Sequence, residues 1–156
     1  MTYNFTPRLS KTCLVLGIAL SLAAQIASTH SAAAASLQVD VQDIHQSKGT
    51  LMIAVFDTET GFTNNEAMQG QRIEVEGNKM AVRFDDLPSG TYAIKMFQDV
   101  NGNGQLDMHE GGIPTEPFGF SNDAPAIYGP ANWSDARFDV HGGQNRQTVH
   151  LKQLSF

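Results

Sequence analysis

Apolar residues recur at every second position over several short stretches of this chain. Leu37, Val39 and Val41 alternate with Gln38, Asp40 and Gln42, the period of a strand with one buried and one wet face. After a turn at His45 to Gly49, the run Leu51-Met-Ile-Ala-Val-Phe56 is apolar on both faces. The first stretch predicts an outer strand and the second a central one. Ile73 and Val75 alternate with Arg72, Glu74 and Glu76, and Gly77-Asn78 then leads into Met80, Val82 and Phe84, which predicts a hairpin. A turn over Asp85 to Gly90, shaped by Pro88 and Gly90, precedes a further strand with Tyr92, Ile94 and Met96 on one face. Phe138 and Val140, the turn His141 to Asn145, and Val149 and Leu151 predict a last strand pair.

The pattern offers no long helix, only a helical turn at most over Glu66 to Gln71. Seven short strands with turns between them predict an all-β fold, a single seven-stranded antiparallel β-sandwich of immunoglobulin-like or transthyretin-like type. One connection, from residue 99 to residue 136, is too long to be ordinary, and such loops are functional or anchored.

That loop opens with Asp99-Val-Asn-Gly-Asn-Gly-Gln-Leu-Asp-Met-His-Glu110, the spacing of a twelve-residue EF-hand calcium loop. It offers side-chain oxygens from Asp99, Asn101, Asn103, Asp107 and Glu110 and the carbonyl of Gln105, with Gly104 at the sharp turn. Calcium, in a structural role, is the expected cofactor. No helices flank the loop: a strand enters it, and Gly111, Gly112, Pro114 and Pro117 follow Glu110. Glu110 is therefore the weakest member of the set. With three charged ligands at most, an affinity of about 10⁻⁵ to 10⁻³ M is expected. The bland alternative is an Asn-Gly turn that binds nothing. Further along, Phe118, Phe120, Tyr128 and Trp133 form either a buried lid over an open end of the sandwich or an exposed ligand surface.

The N-terminus changes the picture of where the domain works. Arg8 and Lys11 precede an apolar run from Cys13 to Ala27, and small residues Ser31 to Ser36 follow. This predicts a cleaved secretory signal peptide over residues 1–35 and one domain over 36–156, exported to the periplasm or beyond. The only cysteine, Cys13, falls in the leader, so no disulfide would hold the mature domain. All sixteen acidic residues but only eight of the ten basic ones follow Ser36, which takes the formal charge from −6 to −8. Nucleic acid is excluded as a natural partner on charge, and nothing after Ser36 is apolar enough to span a bilayer. A monomer with a protein or glycan partner is the expectation.

Chemistry-bearing side chains form no catalytic pattern. His45, His109, His141 and His150 are scattered, there is no G-x-S-x-G or H-E-x-x-H, and Asp85-Asp86 reads as turn capping. The expectation is a non-catalytic binding or envelope-associated module. The alternatives are a metal-dependent hydrolase, or a carbohydrate or small-ligand binder that uses the aromatic loop.

Two segments carry a resemblance. Phe84-Asp-Asp-Leu-Pro-Ser-Gly-Thr-Tyr92 is similar to the F-x-x-L-x-x-G-x-Y signature of transthyretin-like, prealbumin-type sandwiches. Together with Phe97 to Asp107 and Gly112-Ile-Pro-Thr-Glu-Pro-Phe-Gly-Phe-Ser-Asn122, it resembles the bacterial exported family known as domain of unknown function 2141. The likeness implies a sandwich and export, and no assigned reaction. That family usually has F-H-D where this chain has Phe97-Gln98-Asp99, so any chemistry of that histidine is missing here.

Overall fold

A computed structural model describes residues 34–154. Nearly all of the expected leader lies outside them, so its form is not addressed.

The described chain is mostly β, with eight strands in two sheets. In order they are β1 (Ala35–Gln42), β2 (Thr50–Phe56), β3 (Gln69–Glu74), β4 (Met80–Leu87), β5 (Gly90–Asp99), β6 (Phe118–Phe120), β7 (Phe138–Val140) and β8 (Gly143–His150). Two short helices, α1 (Glu59–Asn64) and α2 (Trp133–Ala136), sit in connections. One sheet runs β4-β1-β8; the other runs β3-β2-β5-β6, with β7 also on β5.

Several expectations change. The eighth strand is β6, a three-residue piece whose Phe-Gly-Phe gives no alternation to read. The sheets are not wholly antiparallel, because β1 and β8 pair in parallel from Ala35/Gly143 to Gln42/His150. β1 is therefore the middle strand of its sheet, not an outer one. The Gly77-Asn78 turn makes no hairpin: β3 pairs with β2 and β4 with β1, so the turn carries the chain from one sheet to the other. Crossover and hairpin both leave one apolar face per strand, which is why alternation cannot tell them apart. Likewise β7 and β8 belong to different sheets. The helical turn falls at Glu59–Asn64, where Thr58 caps Gly61 N at 3.1 Å, and Gln69 to Gln71 are strand.

The main core lies between the sheets. Leu37, Val39 and Val41 of β1 and Val82 and Phe84 of β4 share one buried cluster with Leu51, Ile53 and Val55 of β2 and Ile94 and Met96 of β5. Each such side chain contributes roughly 1.5–3 kcal/mol by leaving water. Phe84, Leu87 and Tyr92 are all buried there, and the Tyr92 hydroxyl donates to Pro88 O at 2.7 Å across the turn.

β5 organises the site. Its ten residues outlast any one partner on its outer edge: Gly90 to Tyr92 pair with β7 and Lys95 to Phe97 with β6. Between them the ladder is bridged by a side chain. The Ser121 hydroxyl accepts the Ile94 amide at 2.8 Å and donates to Ala136 O at 2.5 Å. Residues 122–137 are thus an excursion whose two ends are tied to the same point of β5; Asn122 Nδ2 adds bonds to Asp135 O and Arg137 O. Gly119 passes so close to β8 that a Cβ there would lie 3.0 Å from Val149 Cγ1.

Candidate functional site

The outward face of the larger sheet is apolar as well. Side chains opposite one another in an antiparallel pair share a face, and the register sets two rows across four strands. One is Arg72, Met52, Phe97, Phe118; the other is Gly70, Ala54, Lys95, Phe120. The aromatic end of these rows is covered: Phe118, Phe120, Phe56 and Phe62 form a second buried cluster with Ala93, Ala124, Ala131 and Ala136, and Trp133 packs on its margin. Phe62 is the hub, 5.4 Å from Phe56 and 5.7 Å from Trp133 between ring centroids, both edge-on.

The other end is hollow. Gly70 and Ala54 leave a gap beside Met52 and Phe97 that nothing fills, and the result is a cavity of about 960 Å³. Its floor is the sheet, one wall is the segment from Leu106 to Pro114, and the other is Ala126 to Pro130. Five large hydrophobic side chains are exposed among the described residues, and four of them, Met108, Ile127, Tyr128 and Leu154, line this cavity. Exposed apolar surface gathered in one place marks a binding site more often than scattered side chains do. The volume lies within the 300–1,000 Å³ usual for small-molecule clefts.

Lys95 is the one cation inside the aromatic end. Its Nζ donates to Phe62 O and, at 2.7 Å, to Asn65 Oδ1, and it lies 4.3 Å from the Phe62 ring centroid. Burial lowers its pKa from the ordinary 10.5 because the charged form loses water.

The polar loop forms the root of the first wall. Asp99, fully buried at the end of β5, accepts the amides of Gly102 at 2.7 Å and Asn103 at 3.1 Å on Oδ1, and that of Gly104 at 2.7 Å on Oδ2. Gly104 takes φ +77°, the left-handed turn expected of it. The amides of Asn101 and Asn103 donate to the two Asp107 oxygens at 2.6 and 2.9 Å. Their own oxygens accept from Asn103 N and Gln105 N. Asp99, Asn101, Asn103 and Asp107 are therefore gathered into one network. Gln105 joins it through its backbone amide.

Glu110 does not join it. Met108 bridges to Pro114 and His109 N donates to Ile113 O, so Glu110 stands exposed at the tip of a tight turn. The carboxylate in contact with the network is Glu116, 5% exposed, which accepts Val100 N at 2.7 Å on one oxygen and Asp107 N at 3.2 Å on the other. The EF-hand spacing points to position twelve and so passes over it; the nearby Gly-Ile-Pro-Thr-Glu segment was the available signal.

Calcium can be tested against this donor set. Two carboxylates, two amide oxygens and a carbonyl suit a hard cation. No three His, Cys, Asp or Glu side chains converge on a metal-holding point among the described residues. The amides also present nitrogen, not oxygen, to Asp107, so an ion there would require Asn101 and Asn103 to turn over and give up two bonds to the loop backbone. Only with those two amides turned would the set present its oxygens to an ion.

Of the four aromatics singled out in the sequence, Phe118 and Phe120 are buried, Trp133 is half-buried and Tyr128 is fully exposed. The first three cover a sheet face. Phe118, Phe120 and Tyr128 border the cavity. Arg72 and Lys95 did not stand out in sequence, although Leu51 to Phe56, apolar on both faces, already signalled that a second face is covered.

A small β-rich domain with an apolar cavity walled by a polar loop is thus the class of protein defined. The chain belongs to the family described as uncharacterised protein conserved in bacteria (DUF2141), whose profile matches residues 39–148. That range holds the polar loop, both cavity walls and the Ser121 bridge. No curated protein and no solved structure matches the chain. No helix among the described residues is long and apolar enough to cross a membrane.

Proposed function

We propose that this protein is an exported, non-catalytic binding module that holds a small apolar ligand against the outward face of its larger sheet. The observation that carries this reading is the cavity of about 960 Å³ rimmed by Met108, Ile127, Tyr128 and Leu154. Export is supported by the charged, apolar and small-residue succession over residues 8 to 36. A prealbumin-type sandwich is supported by the two sheets and by Phe84, Leu87 and Tyr92 packing round the Pro88 turn.

In this reading the Asp99 loop takes up calcium to stiffen the Leu106 to Pro114 wall. The ion would be held by Asp99, Asn101, Asn103, Asp107 and the Gln105 carbonyl, and it supplies rigidity only. Thermal unfolding with calcium, magnesium or chelator tests it: a calcium-specific rise in Tm that Asp107→Asn removes is expected, since a ligand of the folded state stabilises it.

Binding is tested with Nile red, a neutral apolar dye, on protein purified from expression of the full chain. Saturable one-to-one binding is expected in the wild type, and loss of it in Gly70→Leu. Gly70 lacks a positive φ and a Cβ there meets only Ile53 O at 3.6 Å, so the backbone accepts a side chain, which then enters the hollow. Dye binding that Gly70→Leu leaves intact would sink the reading.

A further inference from the structure

We propose that the ligand is an anionic amphiphile, a chain carboxylate whose tail lies along Met52, Ala54 and Phe97 and whose head meets Arg72 and Lys95. This rests on the small-ligand reading above and adds the ligand's chemical class.

The charge of the lining carries it. The whole chain has sixteen acidic residues against ten basic ones. The cavity inverts that balance: its charged side chains are Arg72 and Lys95, and no Asp or Glu lines it. Neither cation has an ion-pair partner among the described residues, where Arg83 pairs with Asp85, Arg146 with Asp40 and His150 with Asp123. Other lysines and arginines here also stand without an ion pair, so what sets these two apart is their place on an apolar hollow that no carboxylate lines, where an incoming anion would meet them.

Placement agrees. Arg72 and Lys95 sit in adjacent rows of the same face, opposite Met52 and Ala54 respectively. Ordinary strand spacings put their Cα atoms roughly 12 Å apart, and the long Arg72 side chain, whose Nη2 lies 3.6 Å from the Cβ position of Gly104, is the one that turns toward a head group at Lys95. Two of the three Nζ donors of Lys95 go to Phe62 O and Asn65 Oδ1, which hold the ammonium in place and leave a third donor. The rest of the lining is apolar apart from Asn65 and Gln71, as a hydrocarbon tail requires. A neutral sterol-like molecule would leave both cations unmatched, and a bare inorganic anion would leave the hollow unfilled.

The test is displacement of bound Nile red by three molecules of equal chain length, each below its micelle-forming concentration: dodecanoate, dodecanol and dodecyltrimethylammonium. Dodecanoate should displace the dye at about tenfold lower concentration than dodecanol, the scale of one charged hydrogen bond, and the cation should be weakest. Arg72→Gln and Lys95→Gln should each shrink the preference for dodecanoate about threefold or more and leave dodecanol unchanged. The Arg72 side chain makes no hydrogen bond or ion pair among the described residues, and its backbone pairing in β3 survives the change, so its variant should fold even if Lys95→Gln disturbs Phe62. Equal displacement by all three, with the dye still bound, overturns the anionic class and spares the binding reading. Absence of dye binding, including a dimer that buries the rim and excludes the dye, overturns both.

Discussion

Glu116 Oε1 accepts the Val100 amide at 2.7 Å, and that bond returns the chain sixteen residues to the first peptide after Asp99. With its other oxygen on Asp107 N, the carboxylate clasps both arms of the polar loop. Glu116→Gln replaces one acceptor with a donor facing a backbone N–H and should destabilise by about 1–3 kcal/mol in urea unfolding. Glu110→Gln should stay within about 0.5 kcal/mol, as an exposed side chain outside the network. Equal effects would show that the clasp does not hold the loop.

Gly49 should tolerate nothing larger. Its φ is +77°, and a Cβ would lie 2.2 Å from Asp99 O, a backbone atom at the root of the loop. Gly49→Ala should therefore cost roughly 3 kcal/mol or more. Gly102→Ala has nearly the same φ and open space around it, so it should cost only about 1–2 kcal/mol. Chemical denaturation of the pair separates steric collision from backbone strain.

Tyr92→Phe removes the hydroxyl that reaches Pro88 O and should cost about 1 kcal/mol. The Tyr92 pKa is raised above 10.0, first by burial and then by Asp57. The unfolded chain releases that proton at lower pH than the folded one, so the wild type should lose stability as pH climbs above 10.0, and Tyr92→Phe should lose less. Unfolding curves across that range, compared between the two proteins, read the difference.

Lys95 gives the binding site a pH limit, its pKa shifted by the same cause, burial, in the opposite direction. Burial lowers its pKa below 10.5, so its charge disappears at a pH where ordinary lysines keep theirs. The preference for dodecanoate over dodecanol should fall as pH rises through that lowered value, and Arg72→Gln should then lose all of it. The groups around Lys95 are the Phe56 and Phe62 rings and Asn65, with Arg72 the other charge of the cavity. For stability the sign is reversed: between the folded pKa and 10.5 the unfolded chain binds more protons, so this group favours folding more as pH rises. A pH-independent preference would remove Lys95 from the site.

The position of Ala35 bears on processing. It is 1% exposed, opens β1 and pairs with Leu87 and Gly143. Cleavage before Ser36 would remove it from the core, whereas the small residues Ala32 to Ala34 supply an equivalent cleavage pattern one step earlier. Under the proposed export, the intact mass of the processed protein should place its first residue at or before Ala35. A start at Ser36 would show that the core does without that methyl group.

Much of this was legible in the alternation of side chains. Leu37 to Val41, Leu51 to Phe56 and Tyr92 to Met96 announce strands because one buried face imposes a period of two. Partnership is another matter. Nothing in Ile73 to Val75 or Met80 to Phe84 says that the turn between them crosses from sheet to sheet, since that choice depends on Leu51 and Leu37, far away in sequence. The spacing of the polar loop singles out Asp99 to Asp107, which share one hydrogen-bond network, and points to Glu110 and not to Glu116: Glu110 follows the arithmetic of a helix-flanked loop, and here a turn at Gly111 and Gly112 carries it away from that network. The cavity was hidden because it is made by what is missing. Gly70 and Ala54 are unremarkable apart, and only strand pairing sets them side by side.

The parallel pairing of β1 with β8 also governs when this protein can exist. Ala35–Gln42 leaves the ribosome early, yet one of its neighbours begins at Met80 and the other at Gly143. Until the last of these has been made, Leu37, Val39 and Val41 lack one side of their sheet, and contacts of such long span form late and slowly. A chain cut short by a nonsense codon before Gly143 would leave β1 as an open, sticky edge beside β4, so the smaller sheet closes only once Gly143 to His150 has been made.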